Sequence, residues 1–159
     1  MAIFSAVVSG VAVAAAQDVF EIVAGPATRV RLHEIRLGQT SDFGDAAAEG
    51  LSVSLIRGFT TAGSGGVAVI STNLAGHTGA ASATSTVKRN NTTLAQDGTG
   101  VTILSDAWNI ADGWRYAPAD GQMPVVEKNQ RLVVRISAPA DEITANATLV
   151  FEEIGDLAE

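Results

Sequence analysis

Strict alternation of apolar and polar residues recurs along the chain, and helical spacing does not. Leu51, Val53 and Leu55 flank Ser52 and Ser54, so one face of this segment packs on a core and the other meets solvent. Ile143, Ala145, Ala147, Leu149 and Phe151 repeat the pattern over a longer run, and Leu132, Val134 and Ile136 repeat it again. Segments 18–23, 30–37 and 101–105 read as further strands, with two more, 67–71 and 82–89, inside a Gly-, Ser- and Thr-rich stretch from Thr60 to Gly100. In 30–37 the phase breaks: Val30 and Leu32 share one parity, Ile35 and Leu37 the other. A β-bulge or a strand buried on both faces produces such a break. Glu127–Gln130 reads as a hairpin turn, and Ala111-Asp-Gly113 as a tight turn between the strands holding Trp108 and Trp114. One helical turn is predicted, at 45–50, capped by Asp45 and ended by Gly50. The prediction is an all-β chain, an antiparallel β-sandwich of the jelly-roll type with about eight to ten strands and almost no helix.

Residues 2–17, AIFSAVVSGVAVAAAQ, have the apolar length of a signal peptide but lack its basic start, since the first Lys or Arg is Arg29. The run breaks at Gln17-Asp18, short of the ~20 residues of a spanning helix. Its Val content favours a pleated strand. Residues 1–16 are therefore expected to form an N-terminal strand or arm of a single domain covering 1–159.

Composition narrows the chemistry. With no cysteine, disulfides and thiolate metal sites are excluded. Ten Lys and Arg against seventeen Asp and Glu give a net charge of −7, which disfavours nucleic acid and anionic membranes as partners. There is no Gly-x-Ser-x-Gly elbow to activate a serine. His33 alternates with Arg31 on a solvated or interface face, and His77 sits in a Gly-rich loop, so neither reads as a catalytic base. Gly63-Ser-Gly-Gly-Val-Ala68 matches a dinucleotide-loop pattern, but a strand follows where a helix is required. Asp42, Asp45 and Glu49 offer oxygen ligands for Ca²⁺ at a spacing unlike an EF-hand, and solvated loop acids explain them as well. No cofactor is expected, and no enzymatic activity. Trp108, Trp114 and Tyr116 concentrate the aromatics beside Asn and Asp; they read either as plugs of the sandwich ends or as a stacking platform for sugar rings.

The strings Phe4-Ser-Ala-Val-Val, Gln17-Asp-Val-Phe-Glu-Ile, Arg31-Leu-His-Glu-Ile, Gln39-Thr-Ser-Asp-Phe-Gly-Asp-Ala-Ala-Ala-Glu49 and Leu149-Val-Phe-Glu-Glu-Ile-Gly155 resemble a family of small β-rich virion proteins of tailed bacteriophages and prophages. The resemblance covers most of the chain and is weakest between Gly63 and Gly100. These proteins are similar to jelly-roll capsid decoration, or cement, proteins. The resemblance implies a structural protein made in the host bacterial cytoplasm. It would sit on the outer capsid surface as a homo-oligomer, a trimer by analogy, bridging major capsid protein subunits. Phe4, Val7, Val8, Val11 and Val13 are the expected partner contacts. The alternative function is a glycan-binding sandwich of a head or tail fibre, using Trp108, Trp114 and Tyr116.

Overall fold

In a computed structural model, which describes residues 2–42, 44, 49–74 and 83–155, the alternating segments become an antiparallel ribbon that rolls onto itself. The strands are β1 (Ala2–Val13), β2 (Gln17–Val23), β3 (Thr28–Gln39), β4 (Gly50–Thr61), β5 (Val67–Val69), β6 (Thr72–Asn73), β7 (Thr86–Asn91), β8 (Gln96–Asn109), β9 (Trp114–Tyr116), β10 (Val125–Val126), β11 (Arg131–Ile136) and β12 (Ile143–Gly155). No helix occurs among the described residues. The helical turn expected at 45–50 lies mostly outside them.

The pairing is nested. β1 pairs with β12, β2 with β11, β3 with β9 and β10, and β4 with β8, all antiparallel. Rolling this ribbon brings β12 beside β3 and β11 beside β4. One sheet then runs β10-β3-β12-β1-β6, with β9 also on β3, and the other β5-β7-β2-β11-β4-β8. Nested pairs folded into two facing sheets define a jelly roll. Segment β5–β7 is inserted between β4 and β8, and it widens the second sheet beside β2 while β6 caps the end of β1.

Two expected hairpins are corrected by this topology. β8 belongs to one sheet and β9 to the other, so Trp108 and Trp114 lie on opposite layers. β10 and β11 are likewise separated, although the turn at Glu127–Gln130 forms, with Gln130 N donating to Glu127 O at 2.9 Å. In a rolled ribbon these links pass from sheet to sheet, and a local turn signal does not reveal that. The strand number exceeds the expected range because β6, β9 and β10 are two- or three-residue edge pieces.

The core lies between the sheets. Phe4, Leu32, Ile35, Leu149 and Phe151 from the first meet Phe20, Leu51, Leu55, Leu132 and Ile136 from the second, all buried. Each such side chain contributes on the order of 1.5–3 kcal/mol by leaving water. The phase break in β3 is a bulge: Leu32 faces Phe151 and Glu34 faces Val150, leaving His33 extra.

Candidate functional site

β1 is placed so that alternate residues divide between core and surface. Phe4, Val8 and Val13 point inward and are buried, with the Phe4 ring stacked on Phe151 at 5.6 Å between centroids. The expectation that these three contact a partner is thereby corrected, because they complete the chain's own core. Val7 is half exposed and Val11 partly exposed, on a strand that carries no charged residue. On one side β1 is paired along its length with β12, while β6 covers only Phe4 and Ser5 on the other. Among the described residues, Ala6–Val13 has no strand on that side. A bulge at Ser9–Gly10, with Gly10 in the left-handed region (φ 62°), bends the strand, and Asn146 Oδ1 accepts the Gly10 N–H at 3.0 Å.

The aromatic group is internal. Trp108 is 1% exposed and its indole N–H donates to Asp112 O at 2.8 Å. Trp114 is 8% exposed and donates to Asp106 Oδ2 at 3.0 Å, which joins the two sheets at this end. That hydrogen bond, with a second from the Ala107 N–H, holds the Asp106 carboxyl below its usual range. Tyr116 lies nearly parallel to Trp114 at 6.4 Å, and burial raises its phenol pKa. The sugar-stacking expectation for Trp108 and Trp114 is corrected: their faces are used by the core, and they close the sandwich end. Tyr116 is partly exposed.

A polar cluster that the sequence did not disclose lies on the outer face of the second sheet. Arg135 Nε donates to Asp18 Oδ1 at 2.7 Å, and Ala95 N donates to Asp18 Oδ2 at 2.7 Å. Arg131 Nε donates to Glu21 Oε1 at 2.7 Å, while Asn91 Nδ2 and Gly63 N reach Glu21 Oε2 at 2.7 and 2.8 Å. The Arg135 guanidinium also stacks over Phe59 at 5.0 Å from its ring centroid. Asp18 and Glu21 are buried because the segments around Gly63 and Thr93, bridged at Ser64–Thr93, cross over them. The glycines of 63–66 make that crossing possible. A Cβ on Gly66 would lie 2.2 Å from Arg89 O, and one on Gly63 would lie 2.6 Å from Asn91 Nδ2. The dinucleotide-like string is thus a close-packing strap. Every carboxylate oxygen of the cluster accepts a hydrogen bond, which is the requirement for holding buried charge in place.

The outer face of the first sheet carries smaller groupings. Glu152 is buried and its Oε2 lies 3.1 Å from His33 Nε2 and 3.4 Å from Arg31 Nη1. Glu34 bonds Arg36 at 2.7 Å and also Arg115; the Arg36 contact leads in holding its carboxyl low, against the opposing effect of desolvation. His77 and Asp45 lie outside the described residues. Of the other candidate calcium ligands, the Asp42 backbone N–H and C=O both bond the Gln39 side chain, and Glu49 Oε1 accepts the Ala140 N–H. No group of three or more His, Asp or Glu suited to a metal occurs among the described residues.

A cleft of about 450 Å³ opens between β4, β8 and the β10–β11 link, with Val101, Val125 and Val126 as apolar lining and Arg57 and Glu127 as charged lining. Its Arg131 is engaged by Glu21, so the cleft presents a single unengaged guanidinium, Arg57, and no acid–base pair within bonding distance among the described residues. What these surfaces offer chemically is packing and strand pairing. Compared with known proteins, the chain matches no family profile, no curated protein and no solved structure.

Proposed function

We propose that the protein is a structural component of a tailed-phage virion, a decoration protein that binds the outside of the head and stabilises contacts between major capsid protein subunits. The observation that carries this reading is the nested jelly-roll pairing of β1–β12, β2–β11, β3–β10 and β4–β8, the architecture that the family resemblance implies. The step from fold to role is an analogy. The surface chemistry is compatible with it. A net charge of −7 suits an outer shell, where packaged DNA does not have to be approached. The strap and its buried ion pairs brace the second sheet without disulfides, as assembly in a reducing cytoplasm requires. In this reading the protein acts as a homo-oligomer, a trimer by analogy.

The test is the protein content of purified particles. Phage particles from the encoding strain, banded on a density gradient, are expected to contain the chain in fixed proportion to the major capsid protein. Labelling of intact heads with a membrane-impermeant amine reagent is expected to reach Lys88 and Lys128. Absence of the chain from banded particles, or its presence only in the soluble lysate, overturns the proposal.

A further inference from the structure

Among the described residues, the exposed large apolar side chains are gathered at one edge. Of six large hydrophobic residues that stand exposed among the described residues, Ile3 and Val7 lie on β1, Ile70 and Leu74 flank β6, which pairs with β1, and Val67 lies on β5, the edge strand of the second sheet on the same side of the roll. Only Val101 lies elsewhere, on β8 at the far side of the roll. Leu74 N donates to Ile3 O at 2.9 Å, which joins the two groups directly, and Ile70 is 91% exposed.

The segments that form this edge carry no charge, although the strand adjoining β5 places Lys88 and Arg89 opposite Ala68 and Val67. Residues 2–17 and 58–74 contain no Asp, Glu, Lys or Arg, in a chain whose net charge is −7. Other edges of the sandwich are blunted. β8 is bulged twice and carries Asp97 and Asp106, while β9 and β10 are three residues or fewer. β1 has neither Lys, Pro nor acid, and Ala6–Val13 is unpaired on its outer side among the described residues.

We propose that this edge is where copies of the chain meet. The occupant is a second copy for two reasons. A patch without acids gives no electrostatic selection for a basic partner, whereas it lets two chains of charge −7 approach without facing carboxylates. A strand edge is also self-complementary, because the N–H and C=O groups of one antiparallel edge match those of its mate. The bulge at Ser9–Gly10 splits the edge into Ala6–Val8 and Val11–Val13, so backbone pairing is short and the apolar side chains supply the remaining contact. A two-fold contact of this kind makes a dimer; it rests on this chain's own edge, not on the virion or on the trimer of the proposed function.

Light scattering on the eluting wild-type protein is expected to show a dimer, a trimer counting against a self-complementary edge, and Ile70→Asp or Val7→Lys to return a monomer. Val101→Lys, at the far edge, is expected to leave the oligomer intact. A wild-type monomer at every concentration, or an oligomer that survives both edge substitutions, overturns the inference. If a variant fails to fold, hydrogen exchange on the diluted wild type reads the same surface. Amides in Ala6–Val13 are expected to exchange faster as the oligomer dissociates, and unchanged exchange there counts against the edge. A monomer found in virions would remove this interface and leave the virion role; an oligomer absent from virions would do the reverse.

Discussion

Arg135 grips Asp18 with two hydrogen bonds, Nε to Oδ1 at 2.7 Å and Nη2 to Oδ2 at 3.2 Å, across the β2–β11 pair on the outer face of the second sheet. The two partners are unequally enclosed. Asp18 is fully buried, whereas the Arg135 side chain keeps about a fifth of its surface in water. Removing either therefore leaves a different remnant.

Arg135→Met strands a buried carboxylate with the Ala95 N–H as its remaining partner, and is expected to destabilise by about 3–5 kcal/mol. Asp18→Asn leaves a guanidinium that can turn toward water and keep its bond to Ala95 O, so its cost is expected to be smaller. Urea unfolding of both variants checks the order. Equal midpoints would show that burial of the carboxylate does not set the energetics.

The strap makes a prediction about glycine that depends on position. Gly66→Ala drives a Cβ against the Arg89 carbonyl, a backbone atom that cannot swing aside, and is expected to cost about 1–3 kcal/mol. Gly38→Ala, on β3, meets nothing within 4 Å and is expected to change stability by less than about 0.5 kcal/mol. Thermal midpoints of the two variants supply the comparison.

Asp106 and Trp114 give a pH-dependent expectation. The folded-state pKa of Asp106 is lowered by the indole N–H, so its contribution to stability is present above the unfolded value of about 3.9 and is lost as pH falls through the folded value. Trp114→Phe removes the donor. The Asp106 carboxyl is then expected to titrate higher in NMR, and the stability gap between variant and wild type to narrow in acid. A gap of constant size from neutral to acidic pH would show that Trp114 acts through packing alone.

Much of the roll was legible because alternation reports directly on burial. Leu51, Val53 and Leu55, and the five inward residues of β12, all lie in the core as their parity requires. The phase break in β3 left a bulge or a doubly buried strand open, and the register with β12 shows the bulge, at His33. What local pattern cannot carry is which distant strand lies alongside. The burial of Asp18 and Glu21 has no local signature in the strand at 18–23, since their cover comes from segments some forty and seventy residues later. One signal was present: two acids in β2 match two arginines in β11, three residues apart in one strand and four in the other. A bulge at Val19, where Phe20 faces Val134 and Asp18 faces Arg135, turns Asp18 onto the same face as Glu21, and Arg131, opposite Val23, reaches Glu21 diagonally. Trp108 and Trp114 were separated for a related reason, because a short turn looks the same whether it closes a hairpin or passes between layers.

The N-terminal strand allows its two faces to be measured separately. Phe4 is 1% exposed and stacks on Phe151, whereas Val7, three residues later, is 50% exposed. Phe4→Ala removes a ring from a packed interior, and the cavity adds to the lost transfer energy, so a loss of about 3–5 kcal/mol is expected. Val7→Ala removes two methyl groups from a surface position and is expected to stay within about 0.5 kcal/mol. Both are best compared in an Ile70→Asp background, which keeps association through the apolar edge out of the measurement. If residues 2–13 were an appended arm, the two substitutions would have similar, small effects on the unfolding midpoint. A large loss from Phe4→Ala alone makes β1 a strand of the core whose opposite face remains available to a second copy.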